Sequence, residues 1–491
     1  MNLLVLGAHN PEIDPRERWI VETAQESGFH VTFLATGDSK EEWNGANVVS
    51  LPVERMNFAS IISNMYKLVQ LYRTLGCFFI LLNLPLAMVA LIFILSRDTV
   101  FVLRKVLRFL KHPFSLEENQ SEISMNFWTY NRVNIGFFKD FLLHLSDSRY
   151  IGMLMRLTYN FQFHIIPVNL QFIEYARKKT NVEIIHANDF ETLMSALVVG
   201  NNQKSRIVFD SQEFFPFSDP RHNALEKFLY LKIEKKWTDK VHVFCTVSTS
   251  LGQVIKDYYK KKKIFIVPNA VPKQNLYLPV PSRRERSKMK FVFQGNFAPN
   301  RGIEFLVDIW VHIDSSKFEL HLVGTDNRFK NEIMNRAASL DLLEKGVFFP
   351  DSVHPNRLVQ NLLNYDVGII PYMPIDHNYR NCCPNKLSQY MSVGLPIISN
   401  QLVYVGMELK QAECGLSYYN GDQQSLINSV HHISKMEIYE RFSANALTYH
   451  EKYFNWEIFG QRFIWLYRGD PQLSNSTSVE VETANPLEFQ I

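Results

Sequence analysis

The sequence predicts an α/β protein built from two doubly wound halves. Short apolar runs recur along the chain, each followed by a helical pattern, which is βαβ rhythm. The runs fall into two sets, and between them lies LPVPSRRERSKMK, a proline-and-charge stretch with the composition of a linker. A chain of 491 residues, 46% hydrophobic and 21% charged, is long enough for two domains that each bury a core.

In order, Leu3 to Leu6 reads as a strand ending at Gly7, Arg16 to Ser27 as a helix stopped by the turn at Gly28, and His30 to Ala35 as a second strand. The rhythm resumes with strands at Glu183–His186, Arg206–Asp210, Val241–Val247 and Ile264–Val267. A fresh set follows the linker: Phe291–Gln294, Phe318–Val323, Gly346–Phe349, Val367–Ile370 and Ile397–Ser399. The expected division is an N-terminal domain over 1–278 and a linker over 279–290. A C-terminal domain over 291–448 and a helix over 449–468 follow. The tail, 469–491, is Ser, Thr, Asn and Glu without periodicity and reads as disordered.

One run interrupts this order. Cys77 to Leu95 is nineteen residues of nearly continuous apolar character, just long enough for a bilayer core of roughly 30 Å. The first two strands precede it and their presumed sheet partners follow it, so a single crossing would put one sheet on both sides of a membrane. Pro85 is expected to break the helix near its middle. The favoured reading is a re-entrant or in-plane helix pair over about 76–112, with Arg104, Lys105, Arg108 and Lys111 on anionic headgroups. The alternative is a hairpin of helices buried inside the N-terminal domain. The implied location is the cytoplasmic side of a membrane, peripheral or re-entrant.

A net charge of +3 is too small to argue for nucleic acid. Five cysteines, with Cys382 and Cys383 adjacent, give neither a disulfide framework nor a zinc spacing. His431 and His432 are neighbours on a helix and point to different sides, so they do not form a metal site. The run Lys260 to Lys263 reads as a solvated turn.

The chemistry concentrates between Asp366 and Asn400. A buried strand, Val367–Ile370, leads into a polar loop bounded by Pro371 and Pro384. A helix then runs from about Asn385 to Val393 and is stopped by Gly394. Its N-terminus faces the carboxyl edge of the sheet, where free backbone N–H groups and the positive end of the helix dipole attract phosphate. Lys386 in the first turn would repel that dipole unless an anion sits there.

Several stretches resemble the glycosyltransferase family 4 proteins: DPRERWIVETAQESGFHVTFLA from Asp14, then IIHANDFETLMSALV, DSQEFF, TVSTSLGQVI and IFIVPNAV. FVFQGNFAPNRGIEFLV, LHLVGTD and PNKLSQYMSVGLPII continue the series in the second half. The resemblance covers roughly residues 1–40 and 183–465. It implies the GT-B fold, two facing Rossmann-like domains with a cleft between them. A nucleotide diphosphate sugar would bind mainly on the C-terminal half and an acceptor on the N-terminal half. It implies retention of configuration, with no metal or other cofactor, because helix termini and basic side chains hold the diphosphate.

Residue by residue, the resemblance places Gly295, Asn296, Arg301 and Gly302 in a loop approaching the diphosphate, with Asn385, Lys386 and Leu387 at the helix start. Gln389 stands where a glutamate ordinarily meets the donor ribose, and Asn381 replaces the other glutamate of that pair. Gln212 falls where many relatives carry a histidine near the reacting sugar, and Glu213 shares its strand end; these two are the catalytic candidates. Gly7, Arg16, His186 and Asp189 are the acceptor-side candidates, Asp189 serving equally well as a helix cap. Amides at 381, 389 and 212 can hydrogen-bond but cannot act as bases.

The reading is therefore a transferase moving sugar from a nucleotide sugar to a membrane-proximal, lipid-linked or polysaccharide acceptor. The rivals are a non-catalytic nucleotide-sugar- or glycan-binding relative and a nucleotide-sugar epimerase.

Overall fold

The computed structural model describes residues 1–8, 15–37, 46–51, 58–76, 78–91, 156–178, 181–219, 222–261, 263–273 and 288–469. The basic run at 104–111, most of the linker and the tail after 469 lie outside these residues.

The first half runs β1 (Asn2–Leu6), α1 (Pro15–Glu26), β2 (His30–Thr36), β3 (Asn47–Leu51), α2 (Phe58–Gln70) and a helix over 78–91, here α3. It continues with α4 (Ile166–Arg177), β4 (Ile184–Asn188), α5 (Asp189–Gln203), β5 (Arg206–Ser211), α6 (Ala224–Thr238), β6 (Val243–Thr246), α7 (Thr249–Tyr259) and β7 (Phe265–Ile266). The seven strands are parallel, in the order β3-β2-β1-β4-β5-β6-β7. Their near-continuous Val, Ile, Leu and Phe content is what a sheet covered on both faces requires.

The second half runs β8 (Met289–Gln294), α8 (Ile303–Trp310), β9 (Phe318–Val323), α9 (Arg328–Ser339), β10 (Val347–Phe348) and β11 (Val367–Ile370). Then come α10 (His377–Asn381), α11 (Asn385–Ser392), β12 (Ile397–Asn400), α12 (Val403–Ala412), β13 (Gly415–Tyr418), α13 (Gln423–Ile433), α14 (Met436–Lys452) and α15 (Trp456–Arg468). This sheet is also parallel, in the order β10-β9-β8-β11-β12-β13.

Strand order reverses between β1 and β4 in one sheet and between β8 and β11 in the other. Crevices at the carboxyl ends of such reversal points are where doubly wound sheets take ligands. The loops leaving these four strands therefore define the interior of the cleft.

The last helix returns to the first half. Trp456 Nε1 donates to Thr23 Oγ1 at 2.9 Å, Arg206 Nε donates to Leu466 O at 2.9 Å, and Tyr467 Oη lies 2.8 Å from His186 Nδ1. The chain thus crosses between the halves twice.

Pro85 does not break its helix: the helix is continuous over 78–91. The backbone next to it is held by Asn83, whose Nδ2 donates to Phe79 O at 2.8 Å while its Oδ1 accepts from Gln162 Nε2 at 2.9 Å. One face of α3 is core, with Phe79 against Trp237 (centroids 4.9 Å) and Phe161 (5.6 Å). The other presents Phe78, Leu81, Leu84 and Met88 to solvent, with Leu81 65% and Met88 55% exposed. Ile62, Tyr66 and Val69 of α2 are exposed too. The segment is thus half buried and half open, and no described helix is long and apolar enough to cross a membrane.

Candidate functional site

β8 delivers Gly295 and the loop to Gly302 into the cleft, and β11 delivers Pro371, Tyr372 and the loop to Asn381. Gly302, with φ +71°, caps α8, and a Cβ there would collide with the carbonyl oxygen of Pro371. A Cβ on Gly295 would overlap the ammonium group of Lys386. Both positions need glycine because the two loops and the lysine crowd each other. The glycines thus make room for protein groups first.

Two cations converge on one aromatic ring here. The Arg301 guanidinium lies 4.4 Å from the Tyr372 ring centroid and 5.4 Å from that of Tyr379. Lys386, 9% exposed in the first turn of α11, donates from Nζ to Tyr372 Oη at 2.8 Å and sits 5.0 Å from the Phe293 centroid. No carboxylate lies within ion-pair distance of either cation among the described residues, and the buried Nε of Arg301 has no hydrogen-bond partner there. Burial would raise the Tyr372 phenol, but the charges of Lys386 and Arg301 outweigh it and hold its pKa below the usual value. The buried Oδ1 of Asn385 also lacks a partner among the described residues. Two cations without a directly paired carboxylate, beside a helix N-terminus, make a setting that favours an anion.

Across the cleft, β5 ends at Ser211 and presents Gln212 and Glu213. The Gln212 backbone N–H donates to Asp189 Oδ1 at 2.8 Å. Asp189 begins α5 with φ +56°, a setting unusual for a non-glycine residue, and its carboxylate is held by the Gln212 N–H. Burial, then Glu191 and Glu213, push its pKa well above the ordinary value. Glu213 is pushed up to about 7 by crowding protein atoms and by Glu191 and Asp376, against the pull of Arg301. Its carboxyl is nonetheless reachable by water, which moderates that shift. Glu213 from one half and Arg301 from the other therefore feel each other across the cleft.

Four of the expected residues stand elsewhere. Arg16 is only 1% exposed and its guanidinium is spent on the protein. It pairs with both oxygens of Asp210 (2.9 and 3.1 Å) and donates to Val267 O, Pro268 O and Asn269 Oδ1. His186 is fully buried, bonded to Asn188 and Tyr467, and burial lowers its pKa to about 4, so it is a neutral core group. Leu387 is core beneath α11. Asn381 turns its Nδ2 onto His377 O at 2.8 Å, while its carbonyl accepts from Ser248 Oγ at 2.6 Å. In each case the resemblance placed the residue near the cleft, but its side chain points into the fold.

Of the others, Gly7 leaves room for the Glu17 carboxylate, Asn296 is exposed at the rim, and the side-chain amide of Gln389 has no protein partner among the described residues. Tyr372, Tyr379 and Asn378 were not anticipated. Tyr372 follows a strand end at the order reversal, a place where site residues collect. Asn378 carries no such signal, yet it accepts from Phe214 N at 2.7 Å and donates to Phe214 O at 3.1 Å, linking the halves.

Residues 288–435 match the family model for glycosyl transferases of group 1, which contains Arg301, Lys386 and Gln389. Among solved structures, sucrose-phosphate synthase from Thermosynechococcus elongatus superposes with a TM-score of 0.59 at 13% identity, covering 96% of this chain and 98% of that one. Anabaena HepE in complex with UDP-glucose gives 0.58 at 12% identity, covering 96% and 100%. The lipopolysaccharide glycosyltransferase WaaG gives 0.56 at 10%, covering 96% and 100%.

The fold is GT-B.

No curated protein matches the sequence significantly. In the GT-B arrangement the two order reversals face each other, so Arg301 and Lys386 stand on one wall of the cleft and Asp189, Gln212 and Glu213 on the other. The matched family supports a transferase function for the half that carries the cations.

Proposed function

We propose that this chain is a nucleotide-sugar-dependent glycosyltransferase. The observation that carries the reading is the pair of cations, Arg301 and Lys386, that share Tyr372 at the N-terminus of α11 with no carboxylate at ion-pair distance among the described residues. A nucleotide sugar's diphosphate has the charge and size to fill that socket, with Asn385, the loop from Gly295 through Asn296 to Gly302 and the α11 backbone as further donors. HepE was crystallised with UDP-glucose, which makes a uridine nucleotide the first donor to try. Gln389 is assigned to the ribose. Asp189, Gln212 and Glu213 face the acceptor and the reacting sugar.

In the transfer, an acceptor hydroxyl oxygen bonds to the anomeric carbon as the carbon–oxygen bond to the diphosphate breaks. The leaving phosphate oxygen takes the hydroxyl proton, so no side-chain base is obligatory. Arg301 and Lys386 stabilise charge growing on the diphosphate, and the cleft holds the partners in register. Retention of configuration belongs to this proposal and rests on the family 4 resemblance.

The acceptor is proposed to be membrane-proximal, lipid-linked or polysaccharide, met at the cytoplasmic face of a bilayer. The support is the outward apolar stripe of α2 and α3, beside which Lys67 is exposed. Apolar surface flanked by lysine suits an interfacial helix pair.

The test is a thermal-shift screen with UDP-, GDP-, ADP- and dTDP-sugars, followed by product analysis. A ligand that binds only the native state raises Tm by mass action. One donor is expected to shift Tm, and the Lys386→Ala variant to lose both shift and turnover; unchanged turnover in that variant sinks the assignment. The amides at 381 and 389 favour a second reading, a binder without catalysis, which would show the donor shift with no transferred or hydrolysed sugar. An epimer formed from donor alone would instead point to an isomerase.

A further inference from the structure

We infer that Arg16, on the acceptor half, is a positioning residue for the anion socket on the opposite half, acting through Asn269. The inference rests on the donor-site reading above for its functional consequence, though not for its geometry. Arg16 lies in the first turn of α1, and its guanidinium hydrogen bonds tie the end of β5, through Asp210, to the crossover peptide Val267–Asn269, while its face packs on rings of α15. Its guanidinium carbon lies 5.4 and 5.7 Å from the Phe463 and Trp456 ring centroids of that helix.

Asn269 carries the connection onward. Its Oδ1 accepts from Arg16 Nη1 at 2.9 Å, which orients the amide so that Nδ2 donates to Cys383 O at 3.1 Å. Cys383 is three residues before Lys386. The same crossover holds α11 a second time, because Val271 N donates to Ser388 Oγ at 2.9 Å. α11 has no side-chain cap of its own; Pro384 stands at its N-cap position. Its first turn is therefore located from outside, by the peptide that Arg16 clamps. The other end of the Arg16 clamp is Asp210, one strand position before Ser211 and two before Gln212. One guanidinium thus sets the spacing between the two walls of the cleft.

The experiment uses full-length protein and two substitutions that leave the Arg16–Asp210 pair in place. Asn269→Ala removes both amide bonds. Asn269→Asp still accepts from Arg16 but turns an acceptor instead of a donor toward Cys383 O, so it breaks the onward link while keeping the Arg16 contact. Amide hydrogen exchange is expected to quicken at residues 383–389 in both variants, with β5 and α1 unchanged. A general loss of stability would instead quicken exchange throughout. Inorganic pyrophosphate, which has the diphosphate chemistry without a base, serves as ligand, and its affinity is expected to fall roughly three- to tenfold in both variants, the range for one hydrogen bond.

Unchanged exchange at 383–389 in both variants overturns the inference, as does unchanged exchange in Asn269→Asp alone. If Lys386→Ala weakens pyrophosphate and the Asn269 variants do not, the relay is wrong and the donor site stands. If the unsubstituted protein binds no pyrophosphate, the donor site is wrong, and the exchange pattern still decides the relay.

Discussion

Lys386 occupies a position that stability alone disfavours. It is a nearly buried cation, in the positive end of a helix dipole, within reach of the same ring as Arg301. Replacement by Met removes the charge and keeps the packing volume. We expect Lys386→Met to unfold at the same temperature or a few degrees higher than the parent while losing the donor-induced shift, both read in one thermal-shift experiment. A fall in Tm without change in donor response would contradict the socket. The place of Lys386 in the first turn of a helix was legible in the sequence, where a cation opposes the dipole, whereas Arg301 came from the resemblance alone. Arg16, His186 and Leu387 turn into the fold, and neither a place in a strand or helix nor a resemblance says which way a side chain points. The partner of Arg16, Asp210, is 194 residues away, and no local pattern announces such a pair.

Among elements, α6 and α7 are joined by a buried acid. Glu234 accepts from Tyr259 Oη at 2.6 Å, and its other carboxyl oxygen is buried without a partner among the described residues. Burial pushes its pKa up to about 8, against the Tyr259 hydrogen bond and with a small push from Glu191. The folded state therefore holds this proton more tightly than the unfolded chain does. Stability from this group is present below the unfolded carboxyl range and is lost as pH rises from about 4.5 to about 8. Glu234→Gln is expected to match the parent in chemical denaturation near pH 5 and exceed it near pH 8.5, by an order of a few kcal/mol at most. Equal pH slopes for the two proteins would refute this.

The apolar stripe on α3 gives a second prediction at this scale. Leu81→Glu with Met88→Glu places two charges on exposed positions, so Tm is expected to stay within a degree or two while sedimentation with anionic vesicles drops severalfold. Equal vesicle binding by variant and parent would remove α3 from the membrane reading. The sequence located most strands of both sheets because buried parallel strands are continuous apolar runs. It missed β3 (Asn47–Leu51) and β13 (Gly415–Tyr418), which lie at the outer edges of their sheets and are only partly covered. It also broke α3 at Pro85, since the Asn83–Gln162 bonding that supports that turn comes from residues 79 apart in sequence.

For the whole molecule, the relation of the halves depends on a few polar bridges. Asn378 pairs with the backbone of Phe214 through both ends of its amide, much as one strand residue pairs with another. Asn378→Ala is expected to cost about 1–3 kcal/mol and to enlarge the radius of gyration measured by solution scattering without ligand. It should also weaken binding of the proposed nucleotide-sugar donor. An unchanged scattering profile would show that other contacts set the spacing. The two-half plan was legible from the two sets of apolar runs and the linker between them, but nothing in the order of residues foretold that the final helix would join the opening half.

That return has a consequence for how the protein is made. Trp456 and Tyr467 of α15 seat against Thr23 and His186, residues that leave the ribosome hundreds of codons earlier. Domains ordinarily fold as they emerge, the first one first. Here the first half has to wait, with the seat for Phe463 and Tyr467 open, until the second half has been made. The nascent chain therefore passes through a long interval in which its amino-terminal half is unfinished, and the emergence of α15, after the whole second sheet, is the event that completes that half.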